Sequence, residues 1–402
     1  MIKKLTYTIF IAALLFVGNN AVFAQLVNNG VKLFVDQGAL LYVDAKYIHN
    51  DGVVLNNGEI VAGGDWENNH PALNVFDNLS NGIVKFTAKS AAFSGTTPTI
   101  FPKLVFKGDG VFTMNLNIGA RLSIDLDDAE VKTGNHQLTF ANYDPSAVYF
   151  KNGFINTGTN GSFVRYIKEN ETYFYPLGSS KLGLKRFVSI YSKQVTKSAI
   201  GAAFVDRDPS SDGYSRFSKT ASVADINDIF YHVITQNQGA NLILDVSFYT
   251  SATEKFTGLA SWTNKNNWDK ASPTDFRDNA AISAGITKSF FHRSFNLAGN
   301  SSVPFAFANV TNVNQLEFYN AFSPDGDGKN DTWEIKNIDT FPDNDLKVFD
   351  RSGNLVYKAS GYNSSKYWDG QNVASGTYVY ILRAKIDGKD QYFKGSITMV
   401  KN

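Results

Sequence analysis

Apolar positions fall in short runs along most of this chain. From Gln25 to about Asn160 the runs are four to six residues long, as in LVNNGVKLFVDQGALLYVDAKYIHNDGVVLNNGEIVAGGDWENN. Alternation within a run, as in Lys32-Leu33-Phe34-Val35, predicts strand. Asn29-Gly30, Asp51-Gly52, Asn57-Gly58 and Asn81-Gly82 separate the runs, and such pairs tolerate positive φ and make tight turns. ARLSIDLDDAEVKTGNHQLTFAN continues the rhythm. Two architectures fit: a small β-helix-like stack, or an antiparallel sandwich. The stack is preferred, because each run is too short to bury a face without neighbours.

Between 161 and 315 the runs lengthen. GSFVRYIKENETYFYPLGSS and RFVSIYSKQVTKSAIGAAFV read as longer strands. In ANLILDVSFYT, Leu242, Leu244, Val246 and Phe248 share one face. A β-sandwich is expected here. ASVADINDIFYHVI fits either a strand edge or one helical turn, and SWTNKNNWDKASPTDFRDNAAIS is loop-rich.

A third region, 316–402, reads as a compact module. LKVFDRSGNLVYK gives two strands around the turn Arg351-Ser352-Gly353-Asn354. GTYVYILRAKIDGKDQYFKGSITMVKN gives a second hairpin, with Tyr378, Tyr380 and Leu382 on one face and Asp387-Gly388 at its turn. About seven short strands would make an Ig-like sandwich. No long amphipathic helix is visible, so the expected fold class is all-β throughout.

The first 24 residues do not join this pattern. Lys3 and Lys4 precede an apolar run from Ile9 to Val17, and Val22 and Ala24 fit a cleavage site before Gln25. This predicts a secretory signal peptide over 1–24. The apolar run is shorter than the ~20 residues a membrane span needs. The chain has no cysteine, which removes disulfides, thiolate metal sites and a lipid-anchored cysteine.

Composition narrows the partners. Lys and Arg total 38 against 37 Asp and Glu, for a formal net charge of +1. That balance offers no general attraction to nucleic acid. The 32 Phe and 19 Tyr suit strands.

Candidate chemistry is sparse. His49, His70, His136, His232 and His292 are far apart in sequence and form no HxH or HExxH pair; folding could still bring two together, but single surface or partly buried histidines are expected. There is no GxSxG elbow, no phosphate-binding loop and no dinucleotide fingerprint. Gly326-Asp327-Gly328-Lys329 ends like a phosphate loop, but Asn330 stands where Ser or Thr is required. Asp125, Asp127, Asp128 and Glu130 form an acidic run. Alternation puts Asp125 and Asp127 on one strand face, where a cation could bind, but a solvated edge is preferred. Asp206, Asp208 and Asp212 read as turn residues around Pro209. Trp66, Trp262 and Trp268 could form a sugar-stacking platform, with buried core tryptophans preferred. The expectation is a protein without catalytic residues, a glycoside-active enzyme being the alternative.

AFSPDGDGKNDTWEI is more specific. Asp325, Asp327 and Asp331 stand at positions 1, 3 and 7 of a DxDGxxD pattern, which suits the oxygen ligands of Ca²⁺. Unlike an EF-hand, the loop has Lys329 at position 5 and no Glu at position 12. The other reading is a polar turn.

The residues around that loop carry a resemblance. Pro324-Asp325-Gly326-Asp327-Gly328-Lys329-Asn330-Asp331-Thr332-Trp333 is followed by Ile335, Asn337-Ile338, Phe341-Pro342 and Asn344. Then come Leu346-Lys347-Val348-Phe349-Asp350-Arg351, Gly353, Val356-Tyr357, Trp368-Asp369-Gly370, Gly376-Thr377-Tyr378 and Lys394-Gly395-Ser396-Ile397-Thr398. In this order they resemble the type B C-terminal sorting domain of the type IX secretion system, the gliding motility-associated family of Bacteroidetes-type bacteria. Ser352 and Ala374-Ser375 depart from the family pattern. The resemblance implies delivery through the outer-membrane translocon to the cell surface or the medium, with an outer-membrane partner protein. For residues 25–315 a structural, adhesive or gliding-associated role is expected. A polysaccharide-binding or polysaccharide-degrading protein is the alternative.

Overall fold

The computed structural model describes residues 25–401 apart from 72–73, 195–196, 221, 284, 312–315 and 387–388. The signal peptide expected over 1–24 and the turn expected at Asp387-Gly388 lie outside the described residues. The chain is all-β, 56% strand and 3% helical. Among the described residues no helix is long and apolar enough to cross a membrane. Two compact units form. Of the described residues, one unit takes those within Met1–Gly213, Asn227–Lys255 and Ala271–Ala306; the other takes those within Tyr214–Ile226, Phe256–Lys270 and Phe307–Asn402.

The first unit begins as a parallel stack. Leu26–Val35, Tyr47–Asn56, Trp66–Asn68, Ser90–Gly95, Val111–Met114, Glu130–Lys132 and Phe154–Asn156 lie side by side in that order. The alternate runs form the opposing sheet: Leu40–Val43, Glu59–Ala62, Ile83–Phe86, Thr99–Phe106, Ile118–Asp125, Gln137–Phe140 and Ser162–Ile167. Each coil contributes inward residues to one shared core, including Val54, Ile60, Val84, Phe86, Phe101, Leu104, Phe106 and Phe112, all buried. Burying each such side chain contributes about 1.5–3 kcal/mol. Rings interlock between coils, with Phe86 4.8 Å from Phe93 and Phe106 4.6 Å from Phe112. The β-helix-like stack, and not the antiparallel sandwich, is what these short runs build.

The Asn-Gly and Asp-Gly pairs behave differently from the expectation of tight turns. Gly30 and Gly52 have φ of +106° and +96° but lie inside strands. Gly58 and Gly82 have no positive φ and stand at a corner where coil crosses coil. A Cβ on Gly82 would come 2.3 Å from the Gly58 carbonyl oxygen. Glycine is needed there for close approach of two backbones. The buried Asn56 serves the same corner. Its side-chain N–H donates to the Ile83 carbonyl at 3.0 Å, and its side-chain oxygen accepts the Gly58 N–H at 3.1 Å. The Gly58 N–H also donates to the Val35 carbonyl at 3.0 Å, so the buried Asn56 side chain adds a second acceptor there and ties two coils together at the corner.

Parallel stacking ends at Ser162–Ile167, which pairs antiparallel with Ser198–Val205. Tyr231–Gln238 and residues 302–305 extend that sheet. A second antiparallel sheet orders Thr172–Tyr175, Val188–Ser192, Leu242–Ser251, Ile286–Leu297 and Thr274–Ser283. The two meet through Phe248, whose ring lies 5.1 Å from both His232 and Phe305. Leu242, Leu244, Val246 and Phe248 point into this sandwich as their alternation predicts. ASVADINDIFYHVI resolves into the strand Val223–Ile226 and the start of Tyr231–Gln238, with no helical turn. Where stack meets sandwich, Arg165 is fully buried. It donates to the carbonyls of Phe174 (2.8 Å), Asp144 (3.2 Å) and Pro145 (3.1 Å). Burial lowers its pKa to about 10.

In the second unit, Gly258–Trp262 and Trp268–Lys270 form a hairpin, and Val223–Ile226 pairs with residues 308–310. The C-terminal domain contributes seven strands among the described residues. Five make one sheet in the order Leu355–Ser360, Asn344–Phe349, Gly376–Ile386, Lys389–Met399 and Ala321–Phe322; Glu317–Phe318 and Ile335–Lys336 pair separately. Both expected hairpins are present. Tyr378, Tyr380 and Leu382 face a core with Trp333, Leu346, Val348, Tyr362, Trp368 and Ile397.

Candidate functional site

The loop from Ser323 to Trp333 folds on its own backbone. The Ser323 N–H donates to the Asn330 carbonyl at 2.8 Å, and the Asp325 N–H to the Ser323 carbonyl at 2.9 Å. Gly326 and Gly328 take φ of +80° and +82°, a region L side chains rarely adopt. The two turns bring Asp331 under both glycines. One of its oxygens accepts the Gly326 N–H at 2.7 Å and the other the Gly328 N–H at 2.8 Å. Asp325 accepts the Asp327 N–H at 3.2 Å, and Asp327 accepts the Lys329 N–H at 2.8 Å.

Sequence spacing thus becomes spatial convergence. One carboxylate oxygen from each of Asp325, Asp327 and Asp331 lies within 4.8 Å of the others, and this is the only such group among the described residues. The donors are hard oxygens with lone pairs beyond those held by amides, the set Ca²⁺ prefers. A hollow of about 410 Å³ opens beside the loop, with Asp331, Asp369 and Lys401 on its wall. Lys401 is anchored there by the carbonyls of Gly370 and Val373, each at 2.9 Å. The loop runs on into the strand Ile335–Lys336, whereas a phosphate loop opens onto a helix N-terminus.

Trp333 fixes the loop to the core. It is fully buried, and its indole N–H donates to the Tyr319 carbonyl at 2.6 Å. Its ring lies 4.8 Å from Tyr380. Its backbone bridges to Trp368, and Tyr362 hydrogen-bonds both residues. Burial pushes the Tyr362 hydroxyl well above the usual phenol range, so it stays a donor.

The other acidic candidates are engaged in the fold. Asp125 and Asp127 do not share a strand face, because the strand ends at Asp125 and Asp127 turns with φ +43°. Asp127 pairs with Lys107 at 2.8 Å and accepts the Gly108 N–H, and the Lys107 bond chiefly holds its pKa low. Asp128 pairs with Lys151 at 3.0 Å, and Glu130 accepts from Asn156 and Ser180, both at 2.8 Å. Asp208 caps the turn at Pro209 through the Ser210 N–H, as read from the sequence. Asp212 takes Arg207 and the Tyr231 hydroxyl, and Asp206 takes Ser179 and Lys181.

Trp66 and Trp268 are buried, and Trp262 is half-buried against Trp268. Trp66 packs on Tyr47 at 4.2 Å, far inside the stack. The histidines depart from the expectation of isolation. Two neighbouring coils bring His49 and His70 together with ring centroids 6.0 Å apart. His49 Nδ1 lies 3.1 Å from the Tyr47 hydroxyl, and His70 Nε2 lies 3.3 Å from Asp51. Their separation in sequence hid a contact that coil register creates. Sequence reasoning also passed over Arg383, which gathers Asp343 (2.8 Å), Asp345 (2.7 Å) and Asp390 (2.8 Å) on the outer face of the C-terminal sheet. Its outward alternation was visible; its three partners come from other strands.

Residues 316–399 match the family model described as the CHU_C Type IX secretion signal domain. That is the stretch carrying the aspartate loop, the Trp333 anchor and the five-stranded sheet. No curated protein matches the chain, and no solved structure does. The C-terminal domain therefore marks an exported protein that engages the type IX secretion machinery.

Proposed function

We propose that this is a cell-surface protein whose body, residues 25–315, works by contact, and whose C-terminal domain delivers it to the outer face of the outer membrane. The match over residues 316–399 carries the delivery half of this reading. Support for the contact half comes from the first coil of the stack, where Val31, Phe34, Leu40 and Tyr42 stand more than half exposed. Val31 and Phe34 stand on one sheet and Leu40 and Tyr42 on the opposing one, and exposed apolar surface is where interaction sites form. A structural or adhesive role uses such a surface directly and asks nothing of Asp127, Asp128, Glu130, Asp206 and Asp212, which are bonded within the fold. Cell fractionation tests the reading. The full chain should be cleaved by protease added to intact cells, and a chain lacking 316–402 should stay in the periplasm. Surface delivery of the truncated chain would overturn it.

We also propose Asp325, Asp327 and Asp331 as a Ca²⁺ site at the entry to the C-terminal domain. Convergence of three carboxylates within 4.8 Å supports it. Like charges held so close repel, and a divalent cation relieves that repulsion.

A further inference from the structure

The solvent face of the C-terminal sheet carries an unpaired row of lysines. Strand register pairs Lys358 with Lys347, Lys347 with Ile381, and Ile381 with Lys394. One row across four strands therefore reads Lys358, Lys347, Ile381, Lys394. With strands about 4.8 Å apart, the row is roughly 14 Å wide. The next row reads Ser360, Asp345, Arg383, Tyr392.

Three other cations of this domain have carboxylate partners, and Lys366 and Lys401 are held by backbone carbonyls. Arg383 takes Asp343, Asp345 and Asp390, Lys385 lies 3.7 Å from Asp343, and Lys336 lies 2.9 Å from Glu317. Lys347, Lys358 and Lys394 form no ion pair among the described residues. Two of them, Lys347 and Lys358, stand directly opposite each other, an arrangement that destabilises a sheet. Protection of an open edge explains a lysine on Leu355–Ser360, which ends the sheet. It does not explain Lys347, which lies on an inner strand paired on both sides; Lys394 lies on Lys389–Met399, whose outer neighbour Ala321–Phe322 pairs only with Thr398 and Met399.

Apolar surface surrounds the row. Leu355 is 51% exposed, Val379 47% and Tyr392 65%. A hollow of about 320 Å³ sits at the centre, with Lys347, Lys358, Ile381, Arg383 and Tyr392 among its walls. Counting the face, Lys347, Lys358, Lys394, Arg383 and Lys385 oppose Asp343, Asp345 and Asp390, and all three carboxylates converge on Arg383. The excess is positive and lies in the lysine row. A cationic row interleaved with exposed aliphatic and aromatic side chains complements an acidic protein surface with apolar residues of its own.

We propose that this face is where the export machinery grips the domain, through an acidic, partly apolar protein surface. The proposal rests on the export reading above and names the surface that does the work. The test uses the full chain in the producing bacterium, with all three lysines changed together. Lys347→Glu, Lys358→Glu and Lys394→Glu combined should lower the amount outside the cell at least tenfold and raise the periplasmic pool. The purified triple variant should melt within a few degrees of the parent. The corresponding triple change to Arg, which keeps the charge, should be exported within twofold of the parent. Normal export of the folded Glu variant would overturn the proposal. If the Glu variant does not fold, the triple change to Gln is scored by the same criterion, since it removes the positive charge while relieving like-charge repulsion within the row. Purified parent chain is also mixed with phosphatidylglycerol vesicles. Lysine-dependent vesicle binding together with normal export of the Glu or Gln variant would assign the face to anionic lipid and overturn the protein partner. A chain lacking 316–402 is the separate control: if it too reaches the surface, the export reading fails, not only the assignment of this face.

Discussion

Tyr362 is tied to Trp333 through the heart of the C-terminal domain. Its phenol donates to the Trp333 carbonyl and accepts the Trp368 N–H at 2.9 Å, so one hydroxyl closes both sides of the Trp333–Trp368 bridge. All three residues are buried. Tyr362→Phe keeps the ring and removes the oxygen, leaving a buried carbonyl and a buried N–H short of a partner. The expected loss is about 1–3 kcal/mol. Urea unfolding of the full chain, followed by tryptophan fluorescence, reads it. An unchanged midpoint would mean that water or a relaxed backbone serves both groups.

Calcium should stabilise the same domain from outside. A ligand that binds only the folded chain adds about 2.7 kcal/mol at one hundred times its dissociation constant. The full chain is melted in millimolar calcium and in chelator. Its C-terminal transition should rise by several degrees with calcium, and Asp327→Ala should abolish the difference. Equal melting curves for the parent would make Asp325, Asp327 and Asp331 turn residues held by loop amides.

Acid should loosen the sandwich through its histidines. His232 is fully buried, and burial lowers its pKa to about 3, against about 6.5 when unfolded. His292 in the same sandwich, and His49 in the stack, are lowered in the same direction and for the same reason. Between those values the unfolded chain binds a proton that the folded chain refuses. Stability is therefore full above about pH 6.5 and falls as pH drops toward 3. Melting from pH 7 to 4 should show that fall. His232→Phe, which fits the surrounding Phe204, Phe230 and Phe248 rings, should flatten part of it. A slope identical to that of the parent would remove His232 as a source.

Corner glycines of the stack should resist even a methyl group. Gly82→Ala forces its Cβ against the Gly58 carbonyl and the Asn56 side chain, and overpacking of this kind costs about 1–3 kcal/mol. Gly376 has nothing within 4 Å of the same position and no positive φ, so Gly376→Ala should leave the melting temperature within about a degree. Equal effects at the two sites would show that the coils can move apart.

Much of this protein was legible in the chain. Period-2 alternation identified strands, and in the C-terminal domain it also assigned inward faces, because hairpins pair neighbours in sequence. Leu242 to Phe248 and Tyr378 to Leu382 point where their spacing puts them. The DxDGxxD spacing already grouped Asp325, Asp327 and Asp331, since turns close over a few residues. The PDGDGKNDTW run and the residues after it carried the export domain. What alternation does not encode is which strand lies beside which when the connection is long. Parallel coils, not hairpins, put Gly82 on Gly58 and His70 against His49. The buried Arg165 has no mark in the sequence, and only folding sets the Phe174 carbonyl on one side of it and those of Asp144 and Pro145 on another. Lys347, Lys358 and Lys394 are unremarkable along the chain, and only register across four strands sets them in one row. A residue's face follows from its own neighbours in sequence, but its partners follow from register, which is fixed only when separate strands bury a common core.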